Sequence, residues 1–199
     1  MIAEFKKSIA AGMMISIGAT VYLSCSNKLL GAFLFAVGLF AICALDMYLF
    51  TGKIGYIFKN RNKPNCAVIW LGNLIGCLVC TIPIRFAKPE LAQIAYDMVQ
   101  TKLNNNIISV IILAFFCGVL MYIAVENYKS DMNNIAKIVG VFVCVATFII
   151  CGFEHSIADM CYCIFAVNAP VMVIKSLVFI LIVSAANALG AITCRYITT

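Results

Sequence analysis

The chain alternates long apolar stretches with short charged ones. Runs without a charged residue cover 8–27, 29–45, 64–84, 103–125, 138–153, 160–174 and 176–194. A helix needs about 20 residues to cross the hydrocarbon layer, and charge is expensive there. Four of these runs (8–27, 64–84, 103–125 and 176–194) are long enough alone, while 29–45, 138–153 and 160–174 are not. The run 29–45 leads into Asp46-Met47-Tyr48-Leu49-Phe50-Thr51-Gly52 and a short segment to about Phe58. The other two short runs flank Gly152-Phe153-Glu154-His155-Ser156. Each reads as one span interrupted near its middle. The order is then whole, broken, whole, twice over. This predicts an all-α integral membrane protein of six transmembrane helices, arranged as two inverted three-helix repeats with the second and fifth helices interrupted. Direct similarity between the halves is weak, so the repeat rests on hydropathy. The chain is read as one transmembrane domain over 1–199, with repeat one at about 1–85 and repeat two at about 103–199.

Three spans per half give the halves opposite orientation. With the N-terminus cytoplasmic, Lys6, Lys7, Lys53, Lys59, Arg61, Lys63, Lys129, Lys137 and Arg195 lie inside, and Lys28, Arg85, Lys88, Lys102 and Lys175 outside. The bias predicts both termini in the cytoplasm of a cell inner (plasma) membrane. Broken helices at membrane depth leave backbone groups that survive only when buried in protein or lining a wet cavity. The new helix N-termini near Thr51 and His155 carry positive dipole ends, and two such ends facing one cavity would attract an anion.

Composition sharpens this picture. The 199 residues are 64% hydrophobic and 11% charged, with mean hydropathy +1.06. The bilayer is thus the expected partner. The net charge of +6 forms no sustained basic stripe, which argues against nucleic acid. Most of the eleven cysteines sit in apolar runs, where a reduced thiol packs as a small apolar group. Cys77-x-x-Cys80 and Cys161-x-Cys163 lack the further ligands of a metal or redox site, so no metal or cofactor is expected. Lys6 and Lys7, followed by an apolar run ending Leu23-Ser24-Cys25, loosely mimic a lipoprotein signal; they are read as a retained first helix. Gly72-x-x-x-Gly76 reads as close helix packing. No nucleophile–base pair outside the histidine cluster and no phosphate loop supports an enzyme.

His155 is the only histidine. It stands in an apolar stretch beside Glu154, with Asp159 four residues on. An ionisable group at such depth marks a functional site. Gly152-Phe153-Glu154-His155-Ser156-Ile157-Ala158-Asp159-Met160 resembles the G-F-E-H-S-I-A-N-M signature of the formate/nitrite transporter family. Leu49-Phe50-Thr51-Gly52 is similar to the family's L-F-T-[GS] loop, and Gly72-Asn73-Leu74-Ile75-Gly76 to its third-helix G-N-L-x-G. Residues 114–124 approximate the fourth-helix signature, and Asn187-Ala188-Leu189-Gly190 the last-helix N-x-x-G. The matches run in order along nearly the whole chain.

The resemblance implies an aquaporin-like fold and a homopentamer with one pore per protomer. It also implies a small monovalent anion or its conjugate acid (formate, nitrite or hydrosulfide) as substrate. Thr51 and His155 would face each other at the pore centre. Phe35, Leu39, Leu49, Phe50 and Phe148 match apolar constriction positions, and Lys102 the vestibule lysine. A bare anion crosses such a constriction only at high desolvation cost. Lys102 would therefore concentrate anions, protonation near His155 would neutralise them, and Thr51 would supply a hydrogen bond. Asp159 replaces the family's asparagine; an ionised carboxylate on the histidine's helical face would stabilise the imidazolium. Gly118 and Tyr48 also depart from the pattern. With Glu154, Asp159 leaves open a second reading, a pore for a neutral or cationic solute such as urea or ammonium. A non-transporting scaffold or sensor is the third.

Overall fold

The structure, a computed structural model, describes residues 2–58 and 63–198. Lys59 and Arg61, used above for the charge bias, lie outside the described residues. The described residues form helices only: α1 (Ile2–Ser24), α2 (Lys28–Ala44), α3 (Phe50–Lys53) with a 3-10 turn at Ile54–Tyr56, α4 (Cys66–Ala87), α5 (Glu90–Leu103), α6 (Ile107–Lys129), α7 (Asn134–Ile150), α8 (Ser156–Ala166) and α9 (Pro170–Thr198). Four of them, α1, α4, α6 and α9, are long and apolar enough to cross a membrane.

The two predicted interruptions are present. Helix α2 stops at Ala44 and helix resumes only at Phe50; α7 stops at Ile150 and α8 begins at Ser156. Both breaks turn through a left-handed residue, Asp46 (φ 46°) and Gly152 (φ 66°). Glycine takes this conformation freely, and aspartate is among the few other residues that tolerate it. The hydropathy reading did not predict α5, because its charged residues exclude it from every apolar run. Its signal is a stripe: Leu91, Ala95 and Val99 recur every fourth residue and are buried in a helix that packs against α8.

Helix α1 packs along α4, and α6 along α9, while α2 and α7 pack on each other and on α1 and α6 respectively. The two long pairs approach closely. A methyl group added at Gly76 would lie 2.0 Å from the Ile9 carbonyl oxygen, and one at Gly190 1.9 Å from that of Phe115. Only a residue without Cβ permits these crossings.

Two asparagines tie the broken segments to these pairs in the same way. Asn73 on α4 accepts a hydrogen bond from the Phe50 N–H (2.8 Å) and donates to the carbonyls of Ser8 (2.7 Å) and Tyr48 (2.9 Å). Asn187 on α9 accepts from the Ser156 N–H (2.9 Å) and donates to the carbonyls of Ala114 (2.7 Å) and Glu154 (2.8 Å). Phe50, Tyr48 and Ser8 map onto Ser156, Glu154 and Ala114 at one constant sequence offset. The same offset carries Asp46 onto Gly152, and the cap residue Asn27 of α2 onto Asn133 of α7.

Candidate functional site

Helix α8 is short and begins in the protein interior, so its first N–H groups need partners from outside the helix. Ser156 N–H finds Asn187, and Ala158 N–H finds the Nδ1 of His155, the residue that caps the helix (3.1 Å). An acceptor Nδ1 fixes the neutral tautomer, with the ring proton on Nε2. That nitrogen lies 2.8 Å from the Thr51 Oγ1 and donates to it. The ring stacks on Phe148 with centroids 5.5 Å apart, and Phe148 meets Phe35 edge to face at 5.9 Å. Thr51 and His155 are 1% and 2% exposed.

A cavity of about 360 Å³ opens on one side of this pair, lined by His155, Phe148, Lys102, Glu154, Asp159 and Tyr162 among others. A smaller one of about 70 Å³, lined by Ile42, Cys43, Leu49, Gly52, Lys53 and Lys129 among others, lies on the other side. Helix α2 spans the interval. Its Phe35 touches Phe148 of the first cavity, and its Ile42 lines the second. Seven residues of helix separate them by about 10 Å. Phe35, Leu39 and Leu49 are buried, as are Thr51 and His155. Phe50 is also buried but lines neither cavity.

The larger cavity holds an ion cluster. Lys102, at the end of α5, pairs with Glu154 and lies 3.1 Å from the Asp159 Oδ1. The side chains of Glu154 and Asp159 are 4% and 1% exposed, and that of Lys102 17%. The expected free vestibule cation is therefore matched by two carboxylates. The expectation that Asp159 supports an imidazolium is corrected. Asp159 turns to Lys102, and the imidazole is committed to the helix cap and to Thr51. At the two helix N-termini, Asn73 accepts from the Phe50 N–H, and Asn187 and His155 accept from the Ser156 and Ala158 N–H groups. The sequence reading missed Tyr22, Met98, Thr101 and Asn105, which also line this cavity. Only Thr101 and Asn105 carry a sequence signal, their closeness to Lys102. Nor did spacing predict that Cys77 meets Cys161 (Sγ–Sγ 3.4 Å) across α4 and α8.

Two broken helices thus meet at a buried polar pair, with a cavity on each side and apolar helices around them. The family model described as Formate/nitrite transporter matches residues 2–198, and the chain belongs to that family. It is 26% identical over 180 residues to the formate channel FocA of Escherichia coli (strain K12), covering 78% of this chain and 63% of the relative. The chain thus spans less than two thirds of that relative's length. It is 28% identical over 126 residues to the uncharacterized transporter YwcJ of Bacillus subtilis (strain 168), covering 57% of this chain and 49% of the relative. Two solved structures share the fold. One is described as a pentameric formate channel with formate bound (TM-score 0.78, 23% identity, covering 98% of this chain and 93% of that one). The other is described as an FNT family ion channel (TM-score 0.79, 18% identity, covering 96% and 84%).

Proposed function

We propose that each subunit is a pore for a small monovalent weak acid, of the formate, nitrite or hydrosulfide class, in the inner membrane. In this reading α2 with α3 and α7 with α8 are interrupted spans. The six spans form two inverted repeats, both termini are cytoplasmic, and five copies assemble with one pore each. The matched asparagine clips support the repeat, and the pentameric formate channel of like fold supports the assembly. The observation that carries the proposal is the buried Thr51–His155 hydrogen bond standing between two cavities, inside an apolar plug.

That plug dictates the mechanism. Moving a charged anion past Phe35, Leu39 and Phe148 forfeits its hydration, whereas its conjugate acid crosses with a far smaller loss. Lys102 holds the anion in the larger cavity, a proton is added there, and Thr51 and His155 offer hydrogen bonds in passage. Leu49 lies at the exit into the smaller cavity. Purified protein in liposomes, given formate, nitrite, hydrosulfide, acetate and ammonium at two pH values, tests this reading. Uptake of one or more of the weak-acid anions, cut at least tenfold by His155→Asn, is expected. Equal rates with and without protein would end the proposal.

A second reading is kept because one specific observation favours it. Lys102 faces two carboxylates, so the cluster carries more negative than positive charge when all three are ionised. That balance suits a neutral or cationic solute such as urea or ammonium. Reversal potentials in planar bilayers separate the two readings, since cation and anion selectivity shift them in opposite directions.

A further inference from the structure

We infer that Asp159, not His155, is the group that hands the proton to the permeant anion. This rests on the weak-acid reading above.

Both nitrogens of His155 are engaged: Nδ1 accepts the Ala158 N–H in the first turn of α8, and Nε2 meets Thr51. Protonating Nδ1 would set two N–H donors against each other and break the cap. Releasing the Nε2 proton would leave an imidazolate in an apolar plug. The ring holds the half-helix and lends a hydrogen bond; it is badly placed to exchange a proton.

Asp159 is placed for that exchange. Its Oδ1 faces Lys102, but its Oδ2 is buried and has no hydrogen-bond partner among the described residues. The residue lines the larger cavity and is 1% exposed. A buried carboxylate oxygen without a donor is costly, and here one ammonium serves two carboxylates. One proton on Oδ2 removes both faults. It cancels the surplus charge and turns an orphan acceptor into an O–H donor on a residue that lines the cavity. The groups facing Asp159 are Lys102 from α5, Glu154 from the α7–α8 break, Cys117 from α6, and His155, Tyr162 and Cys163 beside it, with Tyr22 of α1 against Tyr162. Lys102 is the cation among these, and it remains to stabilise the carboxylate once the proton has left.

The step balances. The Asp159 O–H bond breaks as a bond forms from that proton to an oxygen of the anion. The neutral acid moves into the plug, and the Asp159 carboxylate, paired with Lys102, takes a fresh proton from water in the cavity.

The test uses proteoliposomes with formate outside and a pH-sensitive dye within, corrected for the leak of empty vesicles. Wild-type protein carries one proton with each formate. Asp159→Asn, which keeps the shape, slows coupled formate and proton entry at least tenfold and flattens its dependence on external pH, with one proton still carried per formate. His155→Asn slows entry but keeps the dependence on external pH. An unchanged rate and pH dependence in Asp159→Asn, or a pH dependence lost in His155→Asn, overturns the inference while the weak-acid pore stands. No formate flux in the wild type removes both. Infrared spectra supply a readout independent of flux. A protonated carboxylic acid band at neutral pH, lost in Asp159→Asn and kept in Glu154→Gln, is expected; its absence from the wild type overturns the assignment.

Discussion

Asn73 and Asn187 each satisfy three backbone groups that the helix breaks would otherwise leave buried and bare. Replacing either by alanine strands one N–H and two carbonyls, at about 1–3 kcal/mol for each group that finds no water. Asn73→Ala and Asn187→Ala are therefore expected to lose about 3 kcal/mol each, seen as similar falls in thermal midpoint in detergent. A large fall in one and none in the other would contradict the equivalence of the two clips. His155→Asn is different in kind. Asparagine caps helices well, so its midpoint should stay within about 1 kcal/mol of the wild type even as transport falls. Lys102→Ala leaves two buried carboxylates without a counter-ion, and breaking such pairs costs about 3–5 kcal/mol. Adding Asp159→Asn and Glu154→Gln to that variant should recover most of the loss; no recovery would mean that the pairing carries little weight.

At the scale of elements, the short α3 is held from outside. Arg195, in the last turn of α9, donates to the Gly55 carbonyl (3.0 Å) and lies over the Tyr56 ring. Tyr56 donates in turn to Glu126 and accepts from Lys129 at the end of α6. A four-residue helix has no stability of its own, since nucleation is unfavourable and few bonds repay it. Arg195→Ala should speed amide exchange across residues 50–56 while leaving α8 protected. Uniform exchange would assign the stability of α3 elsewhere. The glycine crossings make a matching prediction. Gly76→Ala and Gly190→Ala force the α1–α4 and α6–α9 pairs apart, costing about 1–3 kcal/mol each and lowering monodispersity in size-exclusion chromatography.

For the molecule as a whole, native mass spectrometry in detergent should report five copies, and a monomer or dimer would contradict the assembly proposed above. What was legible in the sequence follows from what charge and hydropathy encode. The breaks after Ala44 and Ile150 were visible because Asp46, Glu154 and His155 interrupt apolar runs. The meeting of Thr51 with His155 was accessible only through the family resemblance, since their separation in sequence carries no periodic signal. Helix α5 was hidden because its charged face removed it from a search for apolar runs, although its four-residue stripe was there to read. The pairing of Lys102 with both Glu154 and Asp159 was out of reach, because it depends on how α5 docks on α8. No local pattern records that docking.

The correspondence between the halves fails at one telling place. The offset that maps Asn27 onto Asn133 also maps Leu49 onto His155 and Thr51 onto Ile157, so neither member of the central pair has a polar twin. Nor are the mouths twins: about 360 Å³ with an ion cluster at one, about 70 Å³ beside Leu49 at the other. A passage with unequal ends cannot drive net movement when both baths are identical. Its ends can, however, fill to half-occupancy at different concentrations. In the pore proposed above, influx and efflux would then follow saturation curves of different shape, and it would rectify without any moving part.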